Sequence, residues 1–151
     1  MGGTAGDGER ADAGPFHAWL DRSQIADLLA RYARAVDARR WDDLDTLFTG
    51  EATIDYTATG GIAAGVAEIK AWLAEAMAAF TSTQHLIGLP VVDFAGDGAS
   101  VVAPCHNPLV VDGRVLVCSL WYHAEAVRTG TGWRFSSLRQ EKCHMTFLGQ
   151  S

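Results

Sequence analysis

The chain has no cluster of lysine or arginine. Twelve basic residues stand against 18 acidic ones over 151 positions, for a formal net charge of −6. Nucleic acids and anionic membrane surfaces attract proteins through grouped cations, so neither is expected as a partner. No apolar run approaches the roughly 18–20 residues that a bilayer-spanning helix needs. The opening stretch MGGTAGDGERADAG lacks the basic-then-apolar order of a secretory signal. It also lacks side chains able to build a core, so residues 1–15 are read as a disordered tail. The cysteines are Cys105, Cys118 and Cys143, an odd number without a C-x-x-C pair. A reduced, cytoplasmic protein is the expectation.

Motifs of several chemistries are missing as well. There is no G-x-S-x-G nucleophile elbow. There is no G-x-G-x-x-G or P-loop, and TGTGW (129–133) reads as a hairpin turn. His85, His106, His123 and His144 show no short ligand spacing such as H-E-x-x-H. No metal and no cofactor is expected.

What is present is an ordinary globular composition, 48% hydrophobic and 20% charged. Residues 16–151 are assigned to one domain. Apolar residues at Ile25, Leu28, Leu29, Tyr32, Ala33 and Val36 predict an amphipathic helix over 22–37. Asp21 and Gln24 form a candidate capping box at its start. Trp41, Leu44, Leu47 and Phe48 predict a second short helix, and Ile69 to Phe80 a third over about 66–80. The segment ATIDYTA (52–58) alternates with a period of two, as a strand does. Glycine turns at Gly96-Asp97-Gly98, Asp112-Gly113 and Gly130 then separate β-rich runs. The fold class is α+β: a curved, mostly antiparallel sheet wrapped around helices. Such a sheet encloses a conical pocket, and concave apolar cavities suit small molecules.

Few polar residues stand out inside this pattern. His85, in STQHLIG, precedes an apolar strand. Taken alone it reads first as a histidine bonded to a backbone carbonyl or exposed at a strand start, and only second as an active-site base. Asp37 ends the first long helix, where an acid opposes the helix dipole. Tyr56 shares a strand face with Ala52 and Ile54, which directs it inward. His106 lies between Pro104 and Pro108, a placement that points to an edge or a bulge aiming a side chain into a cavity.

The segments IADLLARYARAVDARRWDDLDTLFTGEATIDY, TSTQHLIG and YHAEAVRTGTGWRFSSLRQEKCHMTF together resemble the SnoaL-like families of the nuclear-transport-factor-2-like superfamily. The resemblance covers about residues 20–148. It implies a cone-shaped, cystatin-like α+β barrel and a homo-oligomer, dimer or trimer. Within the superfamily the pattern is most similar to scytalone dehydratase and hexachlorocyclohexane dehydrochlorinase. That likeness implies an Asp37–His85 dyad, Tyr56 on the first strand and His106 as a second pocket histidine. The dehydratase has a tyrosine immediately before its aspartate, where this chain has Val36. Its later Ser/Asn pair maps either onto Ser119, with Trp121 replacing the Asn, or not at all. A gapless alignment to the dehydrochlorinase directs Tyr122 into the pocket instead. The Asp-Arg-Asp set of limonene epoxide hydrolases has no counterpart.

Histidine as a residue type titrates near pH ~6.5, which suits general acid/base work. A carboxylate on one ring nitrogen fixes the tautomer and stabilises the imidazolium. The expected chemistry is cofactor-free β-elimination or proton-transfer isomerisation of a small cyclic or polyketide-like substrate. In that scheme His85 is the base, Asp37 orients it, Tyr56 bonds the enolate oxygen and His106 handles the leaving group. A SnoaL-type polyketide cyclase would use the same pair. A non-catalytic ligand-binding module would instead leave Asp37 and His85 more than about 4 Å apart, beyond hydrogen-bond reach.

Overall fold

The computed structural model describes residues 14–149. The expected tail lies outside them except at its end, where Pro15 is already the first residue of a helix. Helix α1 spans Pro15–Asp37, seven residues longer than the apolar periodicity predicts. Proline suits the first helical position, because the N–H it lacks is one of the unpaired donors there. The extra turns carry Phe16 and Trp19 outside the core, 68% and 62% exposed, so no buried stripe marks them. The Asp21–Gln24 capping box is therefore not formed. Asp21 sits inside the helix and accepts hydrogen bonds from Arg128 (2.9 and 2.6 Å) and the Trp133 indole (3.0 Å).

After a single 3-10 turn at Trp41–Asp43, α2 (Leu44–Leu47) leads into β1 (Phe48–Asp55). Phe48, expected in the helix, starts the strand instead, and Tyr56 lies one residue past its end. Strand β2 (Ala63–Gly65) precedes α3 (Val66–Ala76), which closes in a 3-10 turn at Met77–Ala79. Six strands follow: β3 (Ser82–Thr83), β4 (Leu86–Ile87), β5 (Val91–Ala95), β6 (Gly98–Val111), β7 (Arg114–Thr129) and β8 (Gly132–Phe147). The turn between β6 and β7 places both Asp112 and Gly113 at positive φ (51° and 71°), the hairpin geometry that Asp-Gly favours.

The sheet runs β2-β1-β8-β7-β6-β3, with β4 and β5 also paired to β6. Only β1 and β8 run parallel; the other pairings are antiparallel. Register shifts along β7–β8 and β1–β8 mark the irregularities that bend long strands. The curled sheet encloses the helices as a half-open cone. Ile25, Leu29, Tyr32 and Val36 of α1 are at most 2% exposed. The Tyr32 ring meets Phe48 and Tyr122 edge-on, and Phe48 packs against Phe135. Among the described residues no helix is long and apolar enough to cross a membrane.

The prolines of β6 have a different effect from the one expected. β6 is an interior strand, paired to β7 along its whole length. On its other side the partner is broken into β3, β4 and β5. The carbonyls of Pro108 and Pro104 accept the Gln84 and Gly88 N–H groups at the two breaks. Proline offers no N–H of its own for a ladder there. His85 sits within the first break.

Candidate functional site

Two chain segments bring the dyad together. Asp37 is the last residue of α1, and His85 lies between β3 and β4. The Asp37 carboxylate accepts from His85 Nδ1 at 2.7 Å, from the His85 backbone N–H at 2.8 Å and from Thr83 Oγ1 at 3.0 Å. The two side chains are only 17% and 6% exposed. Burial alone would raise the carboxyl, but the hydrogen bonds from His85 and Thr83 outweigh it and hold Asp37 below the usual carboxylate range. A charged acceptor on Nδ1 holds a proton there, and in a neutral ring that leaves Nε2 with the lone pair. Nε2 faces Asn107 Nδ2 at 3.1 Å.

His85 and Asn107 lie in the wall of a cavity of about 220 Å³. Its apolar walls come from Val36 of α1, from Trp72, Leu73, Met77 and Phe80 around α3, and from Leu109, Leu116, Leu120 and Met145 of the sheet. The Tyr56 and Tyr32 hydroxyls meet each other at 2.6 Å in the same wall. Burial drives both phenols well above their ordinary range, so each remains an O–H. Thr59 Oγ1 donates to Gln140 Oε1 at 2.5 Å at a further point of the wall. Cys105, buried behind the wall, is pushed up to about 12 by desolvation and stays a thiol. Among the described residues, no group of three or more His, Cys, Asp or Glu side chains is arranged to hold a metal ion.

The other sequence candidates fall elsewhere. His106 is exposed on the outer face of the sheet, where its Nδ1 meets Ser119 Oγ at 3.2 Å. The physical reason is strand parity: Ala103, Cys105, Asn107 and Leu109 of β6 are buried, and His106 belongs to the alternate set. The same parity on β7 turns Ser119 outward. Neither His106 nor Ser119 reaches the cavity. Tyr122 does point inward, 1% exposed, but stands behind the wall against Tyr32, at 5.5 Å between ring centroids. Its hydroxyl makes no hydrogen bond of good geometry, although Tyr32 and Gln140 stand beside it.

Sequence reasoning missed Asn107, the residue next to the histidine it chose. The available signal was the apolar alternation Ala103-Cys105-x-Leu109, whose gap Asn107 fills. In the sequence Tyr32 belongs to the apolar stripe of the first helix, and Trp72 falls within the third predicted helix. Neither pattern reveals that the residue opens onto a cavity.

Comparison with known proteins places these features among relatives. The family model described as the SnoaL-like domain matches residues 18–139. An uncharacterized protein of Mycobacterium tuberculosis is 44% identical over 131 residues, covering 85% of this chain and 89% of that one. Among solved structures, a type 2 hexachlorocyclohexane dehydrochlorinase superposes with a TM-score of 0.79 at 19% identity, over 91% of this chain and 95% of the other. A scytalone dehydratase-like protein of Novosphingobium aromaticivorans gives 0.77 at 17% identity, over 89% and 97%. At such identities these two likenesses speak for the fold.

Proposed function

Since the chain belongs to the SnoaL-like domain family, we propose that it is a cofactor-independent lyase or proton-transfer isomerase acting on a small uncharged ring compound. The observation that carries this reading is the 2.7 Å hydrogen bond that Asp37 accepts from His85 Nδ1, with His85 in the wall of an apolar cavity and Asn107 Nδ2 at 3.1 Å from its Nε2. A pocket that merely held a ligand would have no need of a buried, charged carboxylate behind one histidine. No lysine, arginine, aspartate or glutamate belongs to the cavity wall among the described residues, which suits an uncharged substrate. The neighbours named for a dehydrochlorinase and a scytalone dehydratase support the same class of chemistry.

The residues suffice for the steps. Once the Asn107 N–H turns away from it, His85 Nε2 takes a proton from the carbon next to a carbonyl, and the electron pair moves onto the carbonyl oxygen. Asp37 stabilises the resulting imidazolium and keeps the ring in place. The Tyr56–Tyr32 pair has two O–H protons and needs one for its own bond. The other is free to donate to the enolate oxygen. In elimination, the pair returns from oxygen to form the C=C bond as the C–O bond breaks. The departing hydroxyl leaves as water with the proton that His85 Nε2–H returns. In isomerisation the same proton goes back to a different carbon. His106 has no part in either sequence.

The test is a panel of cyclic hydroxy-ketones assayed for water loss through the absorbance of the new conjugated double bond. Loss of the base should cost at least about 100-fold in rate. His85→Ala and Asp37→Asn, each shown to be folded, should therefore both lose nearly all activity on any substrate found. Full activity in both would refute the dyad. The identity of the product separates elimination, isomerisation and cyclisation.

A further inference from the structure

Asn107 is a buried polar residue in an otherwise apolar core, 6% exposed. It faces the cavity, and its Oδ1 has no hydrogen-bond partner. The chemistry around it fixes which way the amide points. With the Asp37 carboxylate on Nδ1, His85 in the neutral form that a base requires presents Nε2 as an acceptor. Only a donor can face that lone pair, and Asn107 Nδ2 does so at 3.1 Å. Oδ1 is therefore turned away from the histidine. A buried carbonyl oxygen without a donor is unfavourable, and such groups are normally satisfied by something. Asn107 stands in the wall of the cavity, from which a bound ligand can supply the missing donor.

We propose that Asn107 Oδ1 accepts a hydrogen bond from a hydroxyl of the substrate, which makes Asn107 a specificity-determining residue for hydroxylated rings. This rests on the reading of His85 as the base beside it. A hydroxyl within reach of both Oδ1 and Nε2 is the group His85 would protonate as it departs. A carbon–halogen bond has no proton to give and would leave Oδ1 buried and unpaired. Asn107 thus favours elimination of water over elimination of halide. The amide discriminates by what it lacks: sites built to hydrogen-bond a group reject analogues without it.

Binding tests this without any turnover, so the proposal and the base assignment can fail independently. The probes are 2-naphthol, 2-chloronaphthalene and naphthalene, titrated calorimetrically at pH 8. The full-length protein should bind 2-naphthol about tenfold more tightly than either analogue. In Asn107→Leu and Asn107→Ala the three affinities should converge to within about twofold. Two variants are used because a single one can fail to fold, and a thermal melt identifies which is usable. Equal affinities in the unmodified protein would overturn the proposal. So would a tenfold preference surviving in either folded variant, or 2-naphthol failing to bind below about 1 mM.

Discussion

His85 has both ring nitrogens engaged, one by Asp37 and one by Asn107. That arrangement makes the carboxylate matter for stability as well as for chemistry. Because the folded structure holds Asp37 below its ordinary value of 3.8, its charged form stabilises the fold above that pH. The contribution is lost as pH falls through the lower folded value. Asp37→Asn should therefore be less stable than the parent at pH 7, and the gap should close below about pH 3.8. Urea melts at pH 7, 5 and 3 check the sign. Tyr56→Phe acts differently. It removes one partner of the 2.6 Å hydroxyl pair and leaves Tyr32 with an unpaired buried O–H. A stability loss of about 1–2 kcal/mol is expected, and turnover should fall by more than that loss can explain. A Tyr56→Phe variant with unchanged kcat would remove the tyrosine pair from the proposed mechanism.

At the scale of elements, the cavity depends on a few close approaches. A Cβ at Gly61 would meet Tyr56 Cβ at 2.7 Å and the Trp72 ring at 2.9 Å, in the turn that joins β1 to β2. Gly61→Ala should displace Tyr56 or Trp72, cost about 1–3 kcal/mol and weaken ligand binding, as thermal melts and calorimetry would show. The hydrogen bonds from Arg128 and Trp133 to Asp21 tie α1 to the hairpin of β7 and β8. Asp21→Ala should lower the melting temperature by about 3 °C or more without changing the cavity. The elements themselves were largely legible in the sequence, because burial imposes periodicity. Helix α1, the third helix and the three glycine-marked hairpins all show it. The first turns of α1 were not legible, since Phe16 and Trp19 project from a helix that buries nothing there. The choice between His106 and Asn107 was not legible either. A strand buried on one face offers two alternating sets, and Pro104 and Pro108 drew attention to the wrong one.

The whole molecule is a curled mixed sheet whose inner face is divided between core and cavity. Near α1 the aromatic cluster of Tyr32, Phe48, Tyr122 and Phe135 fills the cone. Towards α3 the filling stops, and the space left is lined by Trp72, Met77 and Phe80, with His85 in the same wall. The cone was recognisable from the order of elements and the family resemblance, whereas the boundary between filled and empty space was not. It depends on side-chain volumes meeting across five elements, which no local pattern encodes. The central claim is that Nε2 of His85, set by Asp37, removes a proton from carbon in this cavity. Solvent exchange measures that step without waiting for a product. Cyclic ketones would be incubated with the protein in deuterium oxide, and loss of the α-proton signals followed by NMR. The account predicts catalysed exchange that is abolished in His85→Ala and reduced at least about 100-fold in Asp37→Asn. Exchange at the parental rate in His85→Ala would contradict it.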